Sequence, residues 1–175
     1  MKNTVKEWIK TILTAIIIAL LVSVVIQPVV VDGRSMLPTL EDGNYLIVSK
    51  LGYKITYPSK GDIIVAETDN LSDDGKSKKI VKRVIGLPND HIVIKNGSVY
   101  LNDKKLNENY IKDSYTDGSV DIIVPENEVF VMGDNRLESQ DSRAISLGTI
   151  NKSDILGKVV MSIWKKVCKF NRLLW

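Results

Sequence analysis

The hydrophobic pattern divides the chain into an apolar opening and a body of short alternating runs. Residues 11–31, TILTAIIIALLVSVVIQPVVV, hold no charged side chain. As a helix this stretch rises about 30 Å, the thickness of a bilayer's hydrocarbon core. The pattern predicts a transmembrane anchor over 11–31, with Pro28 stopping the helix near its outer end because it lacks an amide hydrogen and crowds the preceding turn. A cleaved export signal needs a shorter apolar stretch followed by a small-x-small site. Only Gly33-Arg34-Ser35, with arginine in the middle, has that spacing just after the run.

Beyond Asp32 no window before the tail sustains a helical period for three turns, whereas β-branched runs recur between turn signals. Strands are predicted at Tyr45–Val48, Asp62–Ala66, Lys79–Ile85, His91–Ile94, Ser98–Leu101, Val120–Val124, Val129–Met132 and Gly157–Trp164. The body is therefore all-β. Asn96-Gly97, between HIVIK and SVYL, suits a two-residue type I′ hairpin, whose central residues both take positive φ. Leu71–Lys79, LSDDGKSKK, is polar with no apolar period and reads as a surface loop, and Tyr115–Gly118 reads as a turn.

Charge adds an orientation. Lys2, Lys6 and Lys10 precede the apolar run, while Asp32 and Arg34 follow it and cancel, so the positive-inside bias assigns 1–10 to the cytoplasm and 32–175 to the outer face of a single-pass cell-membrane protein. The net charge of +3 comes mostly from that N-terminus, because 21 bases face 20 acids from Asp32 onward. A nearly neutral body gives no argument for nucleic acid. Cys168 is the only cysteine and His91 the only histidine. An internal disulfide, a Cys-rich zinc site and paired imidazole ligands are thereby excluded, and neither a metal nor a cofactor is expected. Hydrolysis would have to use hydroxyl, amine and carboxylate groups, or His91 alone.

Three strings carry candidate chemistry. The first is Gly33-Arg34-Ser35-Met36-Leu37-Pro38-Thr39-Leu40, where a serine on irregular backbone can aim its hydroxyl and amide into a cleft, with Met36 and Pro38 as candidate cleft residues. The second is Lys79–Asp90, KIVKRVIGLPND. Alternation puts Lys82 with Ile80 and Val84, and Arg83 with Val81 and Ile85, so one of the two cations must face apolar surroundings. The pattern does not choose between them, but only a lysine can lose its proton at workable pH and serve as a base. The third is Val129–Arg143, in which Gly133-Asp134-Asn135-Arg136 is a turn string followed by Ser139, Asp141, Ser142 and Arg143. That cluster reads either as a solvated loop or as a support that orients a catalytic amine.

Together the strings resemble the type I signal peptidases, membrane-bound Ser/Lys endopeptidases that remove signal peptides from exported preproteins. The resemblance spans the anchor, the serine string, Gly61-Asp62-Ile63-Ile64-Val65, Lys82-Arg83-Val84-Ile85-Gly86, and GDNRxxSxDSR from Gly133 to Arg143. The compact body is similar to the Gram-positive type. The resemblance implies a coiled, barrel-like β fold, with Ser35 as nucleophile and Lys82 as general base. It also implies Ser139 hydrogen-bonded to the lysine, Asp141 with Arg143 as support, and a preference for small side chains at the first and third positions before the cleaved bond. The implied partners are preproteins and the lipid bilayer.

Two positions depart from the family pattern. Asn89 stands where glycine is usual, a change tolerated because asparagine accepts positive φ. Gly33 occupies an oxyanion position where some members place a hydroxyl, so it would contribute at most its backbone and the Ser35 amide would carry the hole. A self-cleaving repressor lacks an anchor, and a penicillin-binding enzyme requires a Lys-Thr-Gly string that does not occur in the chain. The non-enzymatic alternative is a membrane-tethered β-domain acting as a scaffold. The tail Trp164–Trp175, WKKVCKFNRLLW, either lies on an anionic leaflet through its cations and aromatic ends or packs on the body.

Overall fold

In the computed structural model the described residues are 2–51, 53, 57–71 and 77–163. They form an N-terminal α-helix, a 3-10 turn at Lys152–Asp154 and two antiparallel sheets. Helix α1 runs over Lys2–Val25, and its stretch Val5–Val25 has a mean hydropathy of 2.4 and no buried share, enough length and apolar character to cross a bilayer. The helix does not extend through residue 31. Ile26–Val30 is instead the strand β1, antiparallel to β2 at Tyr45–Ser49, with Pro28 opposite Ile47. The reason is local: Pro28 cannot continue a helix, and valines on either side of an edge position suit a pleated strand.

The remaining strands are β3 (Ile63–Leu71), β4 (Ser77–Gly86), β5 (His91–Lys95), β6 (Ser98–Leu101), β7 (Lys104–Lys105), β8 (Val120–Ile123), β9 (Glu128–Met132), β10 (Ile150–Asn151) and β11 (Ile155–Ile163). The larger sheet has the order β1-β2-β11-β3-β4-β9-β10, and the smaller β7-β6-β5-β8. Every predicted strand is present within a residue or two at its start. At its end β3 runs on to Leu71, and β4 begins at Ser77, so the two strands take in both ends of the expected 71–79 loop, whose centre lies outside the described residues. The tail 164–175 also lies outside them. At the β5–β6 turn Asn96 and Gly97 have φ of 51° and 73°, as the type I′ expectation requires. Asn89 sits at φ 68°.

Three apolar clusters fill the body. Val31, Met36, Leu40, Leu46, Val48 and Val65 lie beneath the serine string. Ile64, Ala66, Val84, Val129, Val131 and Ile155 form the centre of the larger sheet. Ile85, Phe130 and Met132 meet Ile92, Ile94 and Val99 of the smaller sheet, so apolar burial fixes one sheet against the other. Strands β4 and β9 therefore serve both clusters, and the basic pair of β4 and the Gly133 turn leaving β9 are held by well-packed elements.

Candidate active site

The serine string leaves β1, and buried Met36 and Leu40 anchor it in the cluster below. Val31 is clasped by the following turn, donating to the Asn44 carbonyl at 2.9 Å and accepting from the Gly43 amide at 2.8 Å. Ser35 thus projects from a fixed loop. Across from it, β4 presents Lys82 on the face shared with Ile80 and Val84, and its Nζ donates to Ser35 Oγ at 2.6 Å. Lys82 is only 5% exposed. Burial brings its pKa down to about 8, against the pull of the Asp141 and Asp134 carboxylates and with the help of Lys78 and Arg143.

The neighbouring Arg83 points the other way and keeps its charge paired. Its Nε and Nη2 donate to the two oxygens of Asp134 at 2.8 and 2.6 Å, and its guanidinium lies 4.1 Å from the Tyr110 ring centroid. The choice that alternation left open falls on Lys82 as the cation facing the serine.

The Gly133 turn closes the site from the side. The Asn135 amide donates to the Ser35 carbonyl at 3.0 Å, and its Nδ2 to the Arg34 carbonyl at 3.1 Å. Gly133 leaves no room for a side chain: a Cβ there would stand 2.4 Å from the Ser35 carbonyl oxygen and 2.2 Å from Ser139 Oγ. Asp141 accepts from the Gly133 amide at 2.9 Å and from Arg143 Nε and Nη2 at 2.8 and 2.9 Å. Arg143 in turn donates to the carbonyls of Arg136 and Asp117 at 2.8 and 2.9 Å. The cluster is a packed brace, since Asp141 is 1% exposed.

Three expectations need correction. Ser139 does not hydrogen-bond Lys82: its buried Oγ has no partner among the described residues, because it lies against Gly133 while the amine is directed to Ser35. Gly33 does not have a free amide for an oxyanion, since it donates to Asp42 Oδ1 at 2.9 Å. Pro38 is exposed and does not line the cavity, whereas Met36 does. That cavity, about 440 Å³, runs between Val29–Met36 and Lys78–Lys82, with Thr68, Glu138, Gln140 and Leu147 completing the wall.

Other contacts were not anticipated from the strings alone. Arg136, its side chain fully buried, pairs with Glu108 at 2.5 Å, bonds Thr116 Oγ1 at 2.7 Å and donates to the Gly133 carbonyl at 3.0 Å. The Glu108 loop of the smaller sheet thereby supports the turn that holds Ser35. Only the GDNR string hinted at a role for this arginine, and nothing near Glu108 indicated its partner. Among the described residues no three His, Cys, Asp or Glu side chains converge as metal ligands.

Comparison with known proteins agrees with the strings. The family described as Signal peptidase, peptidase S26, matches residues 5–164. A signal peptidase I P of Bacillus subtilis subsp. natto is 40% identical over 167 residues, covering 89% of this chain and 87% of the relative. A signal peptidase IB of Staphylococcus aureus (strain COL) is 35% identical over 183 residues, covering 94% and 92%. A crystal structure of a signal peptidase I from Enterococcus faecalis V583 is 26% identical, with a TM-score of 0.49 over 59% of this chain and 97% of that one. With the matched family spanning nearly all of the sequence, the chain belongs to the signal peptidases of the peptidase S26 family.

Proposed function

We propose that this protein is a membrane-anchored endopeptidase that removes signal peptides from exported preproteins, with Ser35 as nucleophile and Lys82 as general base. The observation that carries this reading is the 2.6 Å contact between Lys82 Nζ and Ser35 Oγ, made by an amine whose burial lowers its pKa to about 8. As Ser35 Oγ attacks the scissile carbonyl carbon, the neutral amine takes the hydroxyl proton. It then returns that proton to the departing amino group, leaving an ester on Ser35. Water completes hydrolysis: the neutral amine takes a proton from the attacking water and passes it to Ser35 Oγ as the ester bond breaks, which restores the serine hydroxyl and releases the acid. With the Gly33 amide held by Asp42, the Ser35 amide is the donor for the oxyanion.

The substrate would enter as a strand. β1 is the terminal strand of its sheet, and β4 pairs with β9 only from Arg83 onward, so Ser77–Lys82 has an open edge facing the cavity. A peptide between these edges finds main-chain partners on both sides. Residues Lys2, Lys6 and Lys10 would lie in the cytoplasm, α1 in the bilayer and the β body on the outer face. The test is to incubate the full-length protein in detergent with a preprotein and sequence the N-terminus of the product. Absence of a new N-terminus, or the same product from Ser35→Ala, would overturn the reading.

A further inference from the structure

The stretch of β4 that leads to Lys82 carries a second cation on the same face. In register with β3, Lys82 stands opposite Ile64, Ile80 opposite Ala66 and Lys78 opposite Thr68, whereas Lys79 stands opposite Glu67. Side chains alternate along a strand, so Lys78, Ile80 and Lys82 share one face and Lys79 takes the other. The shared face is the inner one, where Ile64, Ala66 and Lys82 are buried. Lys78 ends the row as an exposed residue on the cavity wall, and the Thr68 hydroxyl donates to its carbonyl at 3.2 Å. Next to burial, the Lys78 charge is the chief influence lowering the Lys82 pKa, so its field reaches along the cleft.

The two walls of the cavity share an end where Lys82 bonds Ser35, and at the other end stand Val29 of β1 and Lys78 of β4. A peptide arrives at that second end, because β1 begins directly after α1 and a segment leaving the bilayer beside Val25 follows β1 toward Ser35. It therefore runs in the same sense as β4, from Lys78 to Lys82. Those two residues are four apart, or about 13 Å of strand. With the residue that carries the cleaved bond level with Lys82, the third residue before the bond lies beside Ile80 and the fifth beside Lys78, all on one face. The other charges on the wall stand at the Ser35 end: Asp32 and Arg34 belong to the serine string, and Glu138 follows the Gly133 turn, its amide donating to the Asn135 carbonyl.

Resting on the peptidase reading above, we infer that Lys78 is a specificity-determining residue that selects preproteins with an acidic side chain at the fifth position before the cleaved bond. An ammonium on a flexible stem is a point charge that pairs with a carboxylate without strict geometry. A basic side chain at that position is disfavoured by like charge, which gives the selection a repulsive as well as an attractive part.

The experiment uses the full-length enzyme in detergent micelles at pH about 9, where most Lys82 is neutral and its titration drops out of the comparison. Three peptides share one apolar segment and one Ala-x-Ala site and differ only at the fifth residue before the bond, which is Glu, Gln or Lys. For the wild type, kcat/KM should be about two- to fivefold higher for the Glu peptide than for the Gln peptide, the effect of one exposed ion pair, and it should lie in KM rather than kcat. The preference should vanish in Lys78→Gln, turn toward the Lys peptide in Lys78→Glu, and fade in about 1 M salt. Lys79→Gln, on the opposite face, should keep the wild-type ratio. Thermal melts check that each variant is folded. Equal rates for the Glu and Gln peptides in the wild type, a Glu preference that survives in Lys78→Gln, or its loss in Lys79→Gln overturns the inference alone. Failure of the wild-type enzyme to cut any of the three peptides overturns the peptidase reading and the inference with it.

Discussion

Raising the pH from 7 to 9 tests the role of Lys82 most directly. Burial is the main reason its pKa falls from 10.5 to about 8. At that value about one-tenth of the molecules hold a neutral lysine at pH 7, half at pH 8 and about nine-tenths at pH 9. If the neutral amine is the base, kcat/KM for a quenched peptide with an Ala-x-Ala site should rise about tenfold across this interval and level off. An unshifted lysine would be neutral in only about 0.03% of molecules at pH 7, and the rate would climb about a hundredfold by pH 9 without a plateau. The same shift has a thermodynamic sign. Between about pH 8 and 10.5 the unfolded chain binds the proton that the folded one has lost, so this group's contribution makes stability rise with pH through that window. Below pH 8 the buried ammonium costs about 3 kcal/mol, and above 10.5 the cost is gone. Rates measured from pH 6 to 10 in detergent, with denaturant melts of the wild type and Lys82→Met at pH 7, check both statements. A flat profile from pH 7 to 9, or a hundredfold rise, refutes the mechanism; a Lys82→Met variant no more stable than wild type at pH 7 refutes the burial argument.

The other expectations follow from single contacts. Ser35→Ala, Lys82→Ala and Lys82→Arg should each reduce cleavage to background in the peptide assay while retaining wild-type circular dichroism, since either member of a dyad is needed and a guanidinium does not deprotonate. Asp141→Asn and Arg143→Ala should lower both turnover and melting temperature, by about 3–5 kcal/mol where one charge is left buried without its partner, read by thermal denaturation. Ser139→Ala should leave the melting temperature unchanged or raised, because the hydroxyl it removes is buried without a hydrogen bond. Any loss of turnover in that variant then reports on chemistry rather than on folding. Lys78→Gln should move the acid limb of the rate profile to higher pH, since the Lys78 charge helps lower the Lys82 pKa.

The strands were legible because β-branched residues alternate between turn signals, and alternation is the same in sequence as in a half-buried sheet. The serine, the lysine and the Asp141–Arg143 pair were legible through the ordered strings. What escaped depended on tertiary partners. Ile26–Val30 continues the uncharged run of the helix before it, and pairing with β2 completes the strand that Pro28 and its neighbouring valines favour. Ser139 was expected on the amine, but the close approach of Gly133 to the Ser35 carbonyl sets its position instead. Glu108 and Arg136 are 28 residues apart and carry no shared period, so their buried pair is a product of sheet-on-sheet packing.

The two adjacent cations of β4 show what sequence alone leaves undetermined. Lys82 and Arg83 leave the same strand on opposite faces, and both are drawn out of water. Arg83 meets Asp134 through two hydrogen bonds and lies over Tyr110, so its desolvation is offset and its charge is retained as a tie between the serine loop, the Gly133 turn and the smaller sheet. Among the described residues Lys82 donates only to a hydroxyl, while Asp141 spends both oxygens on Arg143 and the Gly133 amide. Had a carboxylate stood where Ser35 Oγ is, the same burial would have held the ammonium protonated and the amine would have been no base. The brace around Asp141 therefore does two things at once: it fixes the loop, and it keeps the nearest buried acid from pairing with the lysine. Its own charge, still felt by Lys82 across the site, opposes the fall in pKa that burial causes.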